Sequence, residues 1–258
     1  MVKPDYMDGL HIPYLSAAVF NGEEAVDFLQ SQLTADIAAL QAGDGTFACY
    51  CTPRGQVLGL WWVQRVTDGL RIAASAELLP AMLKRLQMFV FRTKVSFREA
   101  PELTVVGRPG PRYAFREARA DDEKAGNAWK AEELENGICW LSAGSSEKFI
   151  PQMLGFDEIG AVSFSKGCYP GQEIVARAKY LGQVKRKPVK LQIKNAPDLA
   201  AGSKLMLVRD GVETGAVVVD SAAGGEGRKI VFCVAREQQE AALESVRIDG
   251  EDYRSATI

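Results

Sequence analysis

The stretch SFSKGCYPGQEIVARAKYLG, residues 163–182, decides how the rest of the chain is read. Tyr169-Pro170-Gly171-Gln172 has proline and glycine in the two central positions of a type II turn. Proline presets one dihedral and glycine tolerates the positive φ that follows. Gly167 allows another tight turn just before Cys168, so the thiol is predicted on a presented loop outside regular structure. Gln172 and Glu173 then open a short helix carrying Ile174, Val175 and Ala178, with Glu173 and Arg177 one turn apart. Lys166, Arg177 and Lys179 predict a locally positive surround, which favours thiolate over thiol. Most free cysteines are small buried fillers; the flanking turn chemistry favours a working residue here.

Working outward, residues 21–40 begin with Asn21 and Glu24 in a capping-box-like spacing, with Ala25, Phe28, Leu29 and Leu33 on one helical face. Two apolar runs flank Asp68-Gly69, a hairpin signal. Met82, Leu83, Leu86 and Phe89 fall at helical spacing after Pro80. RTKVSFRE and LTVVG read as strands, which makes the first hundred residues a mixed α+β unit. Residues 116–128 are polar, aperiodic and predicted to be a surface loop. From Pro188 onward short β-rich runs alternate with Asp210-Gly211, a 224–227 glycine cluster and Asp249-Gly250. That pattern predicts a small antiparallel barrel or sandwich. GGEGRK lies between two strands with no helix following, so it reads as a hairpin loop and not as a phosphate loop. The domains expected are 1–187, mixed α+β, and 188–258, all β.

Composition narrows the function. The 31 basic and 33 acidic residues leave a net charge of −2 over 258 residues, without the basic excess of a general nucleic-acid binder. The start has no apolar signal core and no run approaches a membrane span, which predicts a cytoplasmic protein without membrane partners. Cys49, Cys51, Cys139, Cys168 and Cys233 are an odd, scattered set with no CxxC pair, and His11 is the only histidine. A disulfide framework, a Cys/His zinc site and catalysis through a histidine base are all disfavoured. His11 reads as a surface or capping residue. A stable four-cysteine iron–sulfur site is likewise not expected, because only Cys49 and Cys51 are close in sequence.

The run KGCYPGQEIVARAKYLGQVKR closely resembles the signature of the YgfZ family of folate-binding iron–sulfur assembly factors, relatives of the glycine cleavage T protein (aminomethyltransferase). FNGEEAVDFLQSQLTADIAAL is similar to the family's opening G-x-x-x-x-x-F-L-Q-x-Q-x-T-x-D block, and FIPQMLGFDEIGAVSFSKGCYPGQE continues the match through Glu173. The resemblance implies a T-protein-like ring of mixed α/β subdomains around a central folate cleft, ending in a small β-barrel, with a shortened middle subdomain. It implies Cys168 as the functional thiol within Lys166, Gly167, Cys168, Tyr169, Gly171, Gln172, Glu173 and Arg177. It also implies tetrahydrofolate as ligand, with the Trp129 ring stacking on it and the Glu135 carboxylate accepting from pterin N–H groups. From the residues alone Trp129 reads equally as core and Glu135 as solvated surface. One departure is Leu15, where family members can place a second folate-facing tryptophan.

Two functions then compete. For a folate-dependent aminomethyl transferase, the resemblance to the T protein implies an aspartate near the folate nitrogen on the strand corresponding to residues 55–63, and these hold no carboxylate. A positioned acid or base typically contributes roughly 10²- to 10⁴-fold. The reading favoured is an assembly or maintenance factor for iron–sulfur proteins, with radical enzymes that modify tRNA among its clients. No independent turnover, no stably bound metal, no direct nucleic-acid contact and a monomeric state are expected.

Overall fold

The computed structural model describes residues 9–108, 113–119, 127–182, 184–236 and 242–258. It divides into two compact units, one of residues 1–51, 58–125 and 160–170, the other of residues 52–57, 126–159 and 171–258.

The first unit is built from β1 (Leu10–His11), β2 (Leu15–Asn21), α1 (Ala25–Gln32), β3 (Gly45–Cys51), β4 (Val57–Val66), β5 (Gly69–Ser75), α2 (Leu79–Gln87), β6 (Ser96–Glu99), β7 (Leu103–Gly107) and β8 (Tyr113–Glu117). A five-stranded sheet runs β3-β4-β5-β2-β6, and a three-stranded one β1-β7-β8. The core forms where the apolar faces of α1 (Ala25, Phe28, Leu29) and α2 (Leu79, Met82, Leu83, Leu86) meet sheet residues such as Phe20 and Trp61. These are the i, i+3, i+4 positions of amphipathic helices.

Four local expectations need correction in this unit. Asn21 does not open α1: it is the last residue of β2, paired with Gly69 and Ser96. The helix starts after Glu24, whose carboxylate accepts instead from the Lys94 backbone N–H (2.6 Å). The hairpin loop is Thr67-Asp68, one residue earlier than the Asp68-Gly69 reading, because Gly69 already pairs with Val66. A side chain at Gly69 would sit 2.0 Å from the Phe20 carbonyl oxygen, so close strand approach fixes glycine there. Phe89 lies beyond the end of α2 and is exposed. The expected polar loop at 116–128 begins inside β8 and ends in a helix, and its residues 120–126 lie outside the described ones.

The second unit contains α3 (Asn127–Glu135), a 3₁₀ turn at Pro151–Leu154, α4 (Gln172–Tyr180), β9 (Arg186–Lys194), β10 (Lys204–Arg209), β11 (Val212–Ala223), β12 (Arg228–Arg236), β13 (Ser245–Ile248), β14 (Glu251–Tyr253) and β15 (Ser255–Thr257). The seven strands run β14-β13-β10-β11-β12-β9-β15 and every pair is antiparallel. Because β13 also reaches β15, the sheet nearly closes on itself into the expected barrel. Its interior is apolar, with Leu191, Ile193, Leu205, Val218, Val231 and Val246 at its centre. Asp210-Gly211 (φ 47° and 72°) and Asp249-Gly250 (φ 49° and 89°) each join two strands with both central residues at positive φ. That is the type I′ geometry that matches strand twist. Residues 224–227 likewise join β11 to β12 as a hairpin loop.

Candidate functional site

In the first unit Lys166 and Tyr169 point inward while Gly167 and Cys168 are exposed. The loop therefore has a two-residue tip anchored on both sides. Lys166 is only 9% exposed, and its ammonium donates to the carbonyl oxygens of Gln30, Leu33 (2.7 Å) and Ala35 (2.9 Å). Gln30 lies in the last turn of α1 and Leu33 is its C-terminal cap. These carbonyls end the helix without intrahelical donors and carry the negative end of its dipole, which suits a cation. Burial pushes the Lys166 amine down to about 8, while the Asp36 carboxylate works in the opposite direction.

Tyr169 lies under the Lys166 ammonium, 5.5 Å from Nζ to ring centroid. Burial pushes its hydroxyl well above the usual tyrosine range, and the nearby Cys51 and Cys49 thiols add to the effect. Thr34 closes the arrangement from below. Its Oγ1 donates to the Ala161 carbonyl (2.5 Å) and accepts from the Cys49 N–H (2.8 Å), and its carbonyl accepts from the Ser163 N–H (2.9 Å). Gln30 links back through Nε2 to Asp36 (2.9 Å), and its Oε1 accepts from the Ile37 N–H (2.7 Å). Gln30, Thr34 and Asp36 belong to the F-L-Q-x-Q-x-T-x-D block. That block and the cysteine motif meet here across more than a hundred residues of chain.

Cys168 is the one exposed thiol of the five; Cys49, Cys51, Cys139 and Cys233 are buried. Burial raises the Cys51 thiol well above its ordinary range and the Cys233 thiol to about 12. The three cations expected around Cys168 each have a hydrogen-bond or ion-pair partner of their own. Lys166 is committed to three carbonyls, Arg177 to Glu173 (3.3 Å) and Lys179 to Asp157 (3.5 Å). Gly167 stays out of the left-handed region with open space around it, so neither packing nor conformation demands glycine there. Gly171 is different.

In the second unit Gly171 caps α4 at φ 84°, ψ 4°, the values of the third residue of a type II turn. A side chain on it would lie 2.5 Å from the Thr52 carbonyl oxygen and 2.6 Å from the Gly55 Cα. Gln152 of the FIPQ block donates through Nε2 to the Val175 carbonyl (2.7 Å), which ties α4 to the 3₁₀ turn. Glu173 and Arg177 form the expected pair on its exposed face, and Gln172 is half-buried in its first turn.

Trp129 and Glu135 lie at opposite ends of α3. Six residues at about 100° each put them on different faces of the helix. The Trp129 ring is half-buried, and its indole N–H is buried with no hydrogen-bond partner among the described residues. A ligand acceptor would satisfy it, which is the fit Trp129 offers to a bound group. The Glu135 carboxylate is exposed, and its backbone carbonyl accepts from Lys190 Nζ (2.7 Å). Two polar groups went unread in the sequence. Glu133, one turn from Trp129, is buried and accepts from the Trp140 indole N–H (3.2 Å). Lys130 pairs with Asp220 (2.6 Å), whose carboxyl burial raises while the ammonium opposes it.

His11 sits half-buried on β1, where it lines a pocket of about 390 Å³ with Leu15, Glu99, Thr104 and Arg119. Among the described residues no group of three or more His, Cys, Asp or Glu side chains is arranged to hold a metal ion, and no helix is long and apolar enough to cross a membrane.

The fold defines the class. Over 96% of this chain and 84% of the other, the structure matches the crystal structure of the glycine cleavage system aminomethyltransferase T from Bartonella henselae, with a TM-score of 0.71 at 16% identity. The chain thus has the T-protein fold. By sequence it is similar to the tRNA-modifying protein YgfZ of Sodalis glossinidius (strain morsitans), 27% identical over 236 residues that cover 72% of each chain. The YgfZ of Hamiltonella defensa is 25% identical over 248 residues, covering 76% of this chain and 74% of the relative. An uncharacterized protein of Haemophilus influenzae is 29% identical over 204 residues, covering 71% and 73%. No protein-family model matches. The resemblance to the YgfZ family carried by residues 166–173 is borne out.

Proposed function

We propose that the protein is a folate-dependent factor for the assembly, repair or maintenance of iron–sulfur proteins, and that Cys168 is its functional thiol. The observation that carries this reading is the anchored tip: the exposed cysteine is held between two buried side chains, and its four counterparts are buried. A rigidly presented thiol suits transient contact with a cluster, a sulfur or a client thiol better than permanent ligation, which usually takes four cysteines. The YgfZ relatives are named as tRNA-modifying, which supports iron–sulfur enzymes acting on tRNA as clients. Tetrahydrofolate is the ligand in this reading, with Trp129 supplying a stacking face and an unpartnered N–H, and with Glu135 as the carboxylate at the far end of α3. When bound, folate supplies a one-carbon carrier or redox-active pterin; the residues named here only hold it.

Two arms test the reading. In cells lacking their own factor, the Cys168→Ser protein is expected to accumulate normally and fail to restore iron–sulfur enzyme activity; full restoration removes the thiol from the account. Tetrahydrofolate is expected to quench tryptophan fluorescence. Trp129→Ala should weaken binding by about 1–3 kcal/mol, the usual worth of a base stacked on an aromatic ring. Equal affinity in the two proteins places the ligand elsewhere.

A further inference from the structure

The overall charge of −2 conceals an uneven distribution. Between Glu173 and Asp198 the chain has seven basic residues and no acidic one. Arg177 and Lys179 are ion-paired and Lys190 holds the Glu135 carbonyl. At the start of β9, Lys185 and Arg186 are exposed and Lys187 half-buried, and none of the three is ion-paired among the described residues. The register of the barrel adds a fourth cation. Arg186 stands directly opposite Arg236 on β12, and both are exposed. Like charges directly opposite in an antiparallel pair are destabilising, and an external anion bound between them relieves that repulsion.

Just before these cations, Tyr180 is 71% exposed and Leu181 60% exposed at the end of α4. A pocket of about 340 Å³, lined by Lys179, Gly182, Val184 and Lys187, brings the helix end and the strand start onto one surface. Asp157 and Glu158 also line it, and Asp157 is taken by Lys179. Exposed aromatic surface beside a patch of cations is the arrangement that binds single-stranded nucleic acid, with bases on the ring and phosphates on the cations.

We propose that this end of the barrel, Tyr180 and Lys185 with Arg186 and Arg236 on the outer row of the sheet and Lys187 at the rim on the other side of β9, binds single-stranded or looped RNA. It goes beyond the function proposed above and needs neither folate nor Cys168. Whole-chain charge excludes a general nucleic-acid binder and leaves room for this local, salt-sensitive one.

The test is fluorescence anisotropy of a labelled single-stranded RNA, titrated with the full chain at several salt concentrations, without folate or iron. Each neutralised phosphate in a single strand contributes roughly −0.7 to the slope of log K against log salt, so three or four cations give a slope of about −2 to −3. The double variant Lys185→Glu/Arg186→Glu is expected to lower that slope by about 1.4. Tyr180→Ala is expected to weaken binding roughly tenfold with the slope unchanged. Lys185→Gln/Arg186→Gln, which adds no repulsion, should lose the same slope, and thermal unfolding confirms that each variant folds. A slope near zero, or a double variant that binds like the unmodified chain, overturns the proposal. So does equal binding of poly-glutamate with no effect of Tyr180→Ala, which makes the face a dock for an acidic protein. Because the assay lacks folate, iron and clients, its failure leaves the reading of Cys168 standing.

Discussion

Gly171 and Lys166 carry the cysteine loop for opposite physical reasons, one by having no side chain and the other by using a long one. At Gly171 the backbone is left-handed, which costs a side-chain-bearing residue about 1–2 kcal/mol. The Thr52 carbonyl oxygen also occupies the space a methyl group needs. Gly171→Ala is therefore expected to destabilise the protein by more than 1–2 kcal/mol (about the left-handed penalty alone) in urea unfolding; an unchanged midpoint contradicts the turn geometry. Lys166 makes charge-assisted bonds to carbonyls, each typically worth about 1.5–3 kcal/mol. Its folded-state value of about 8 lies below the ordinary 10.5. Between those limits the unfolded chain holds more protons than the folded one, so stability contributed by this group rises with pH and is lost as pH falls through 8. The stability difference between the unmodified chain and Lys166→Met should grow from pH 7 to pH 10. A difference that shrinks over that range reverses the sign assigned to burial. The positive φ of Gly171 was legible because Pro-Gly dictates it locally. The destination of Lys166 was not, since its acceptors lie more than 130 residues away and no local pattern encodes them.

Elements followed their periodicity where one face is buried, and departed from it where tertiary pairing competed. The Asp-Gly turns of the barrel formed as read, because both central residues tolerate positive φ. Asn21 and Glu24 had the spacing of a capping box, yet β2 uses Asn21 as a ladder residue and the helix starts without it. In α4 the read pattern held: Val175 is buried and the Glu173–Arg177 pair lies outside. Both side chains of that pair are largely exposed, and such i, i+4 pairs are worth about 0.3–0.5 kcal/mol. Arg177→Ala should thus shift stability by no more than about 0.5 kcal/mol. A loss of several times that amount, measured by urea unfolding, would show that Arg177 has a further structural partner.

Across the whole molecule, the mixed α+β character and the nearly closed antiparallel barrel were legible from strand spacing and helical periodicity. The site was legible only in part. Turn chemistry pointed to an exposed Cys168, while the carbonyls that hold Lys166 lay beyond any local pattern. Trp129 and Glu135 share a helix but not a face, a relation that a helix boundary reveals and a motif does not. What unifies the first unit is that two distant blocks, residues 28–36 and 163–169, fold into one support for a two-residue tip. Its consequence is selective thiol chemistry, and iodoacetamide treatment of the native protein followed by mass spectrometry of every cysteine peptide measures it directly. Cys168 should be modified to completion while Cys49, Cys51, Cys139 and Cys233 remain unmodified until denaturant is added. Comparable labelling of any buried cysteine under native conditions, or protection of Cys168, would contradict the anchored, presented thiol.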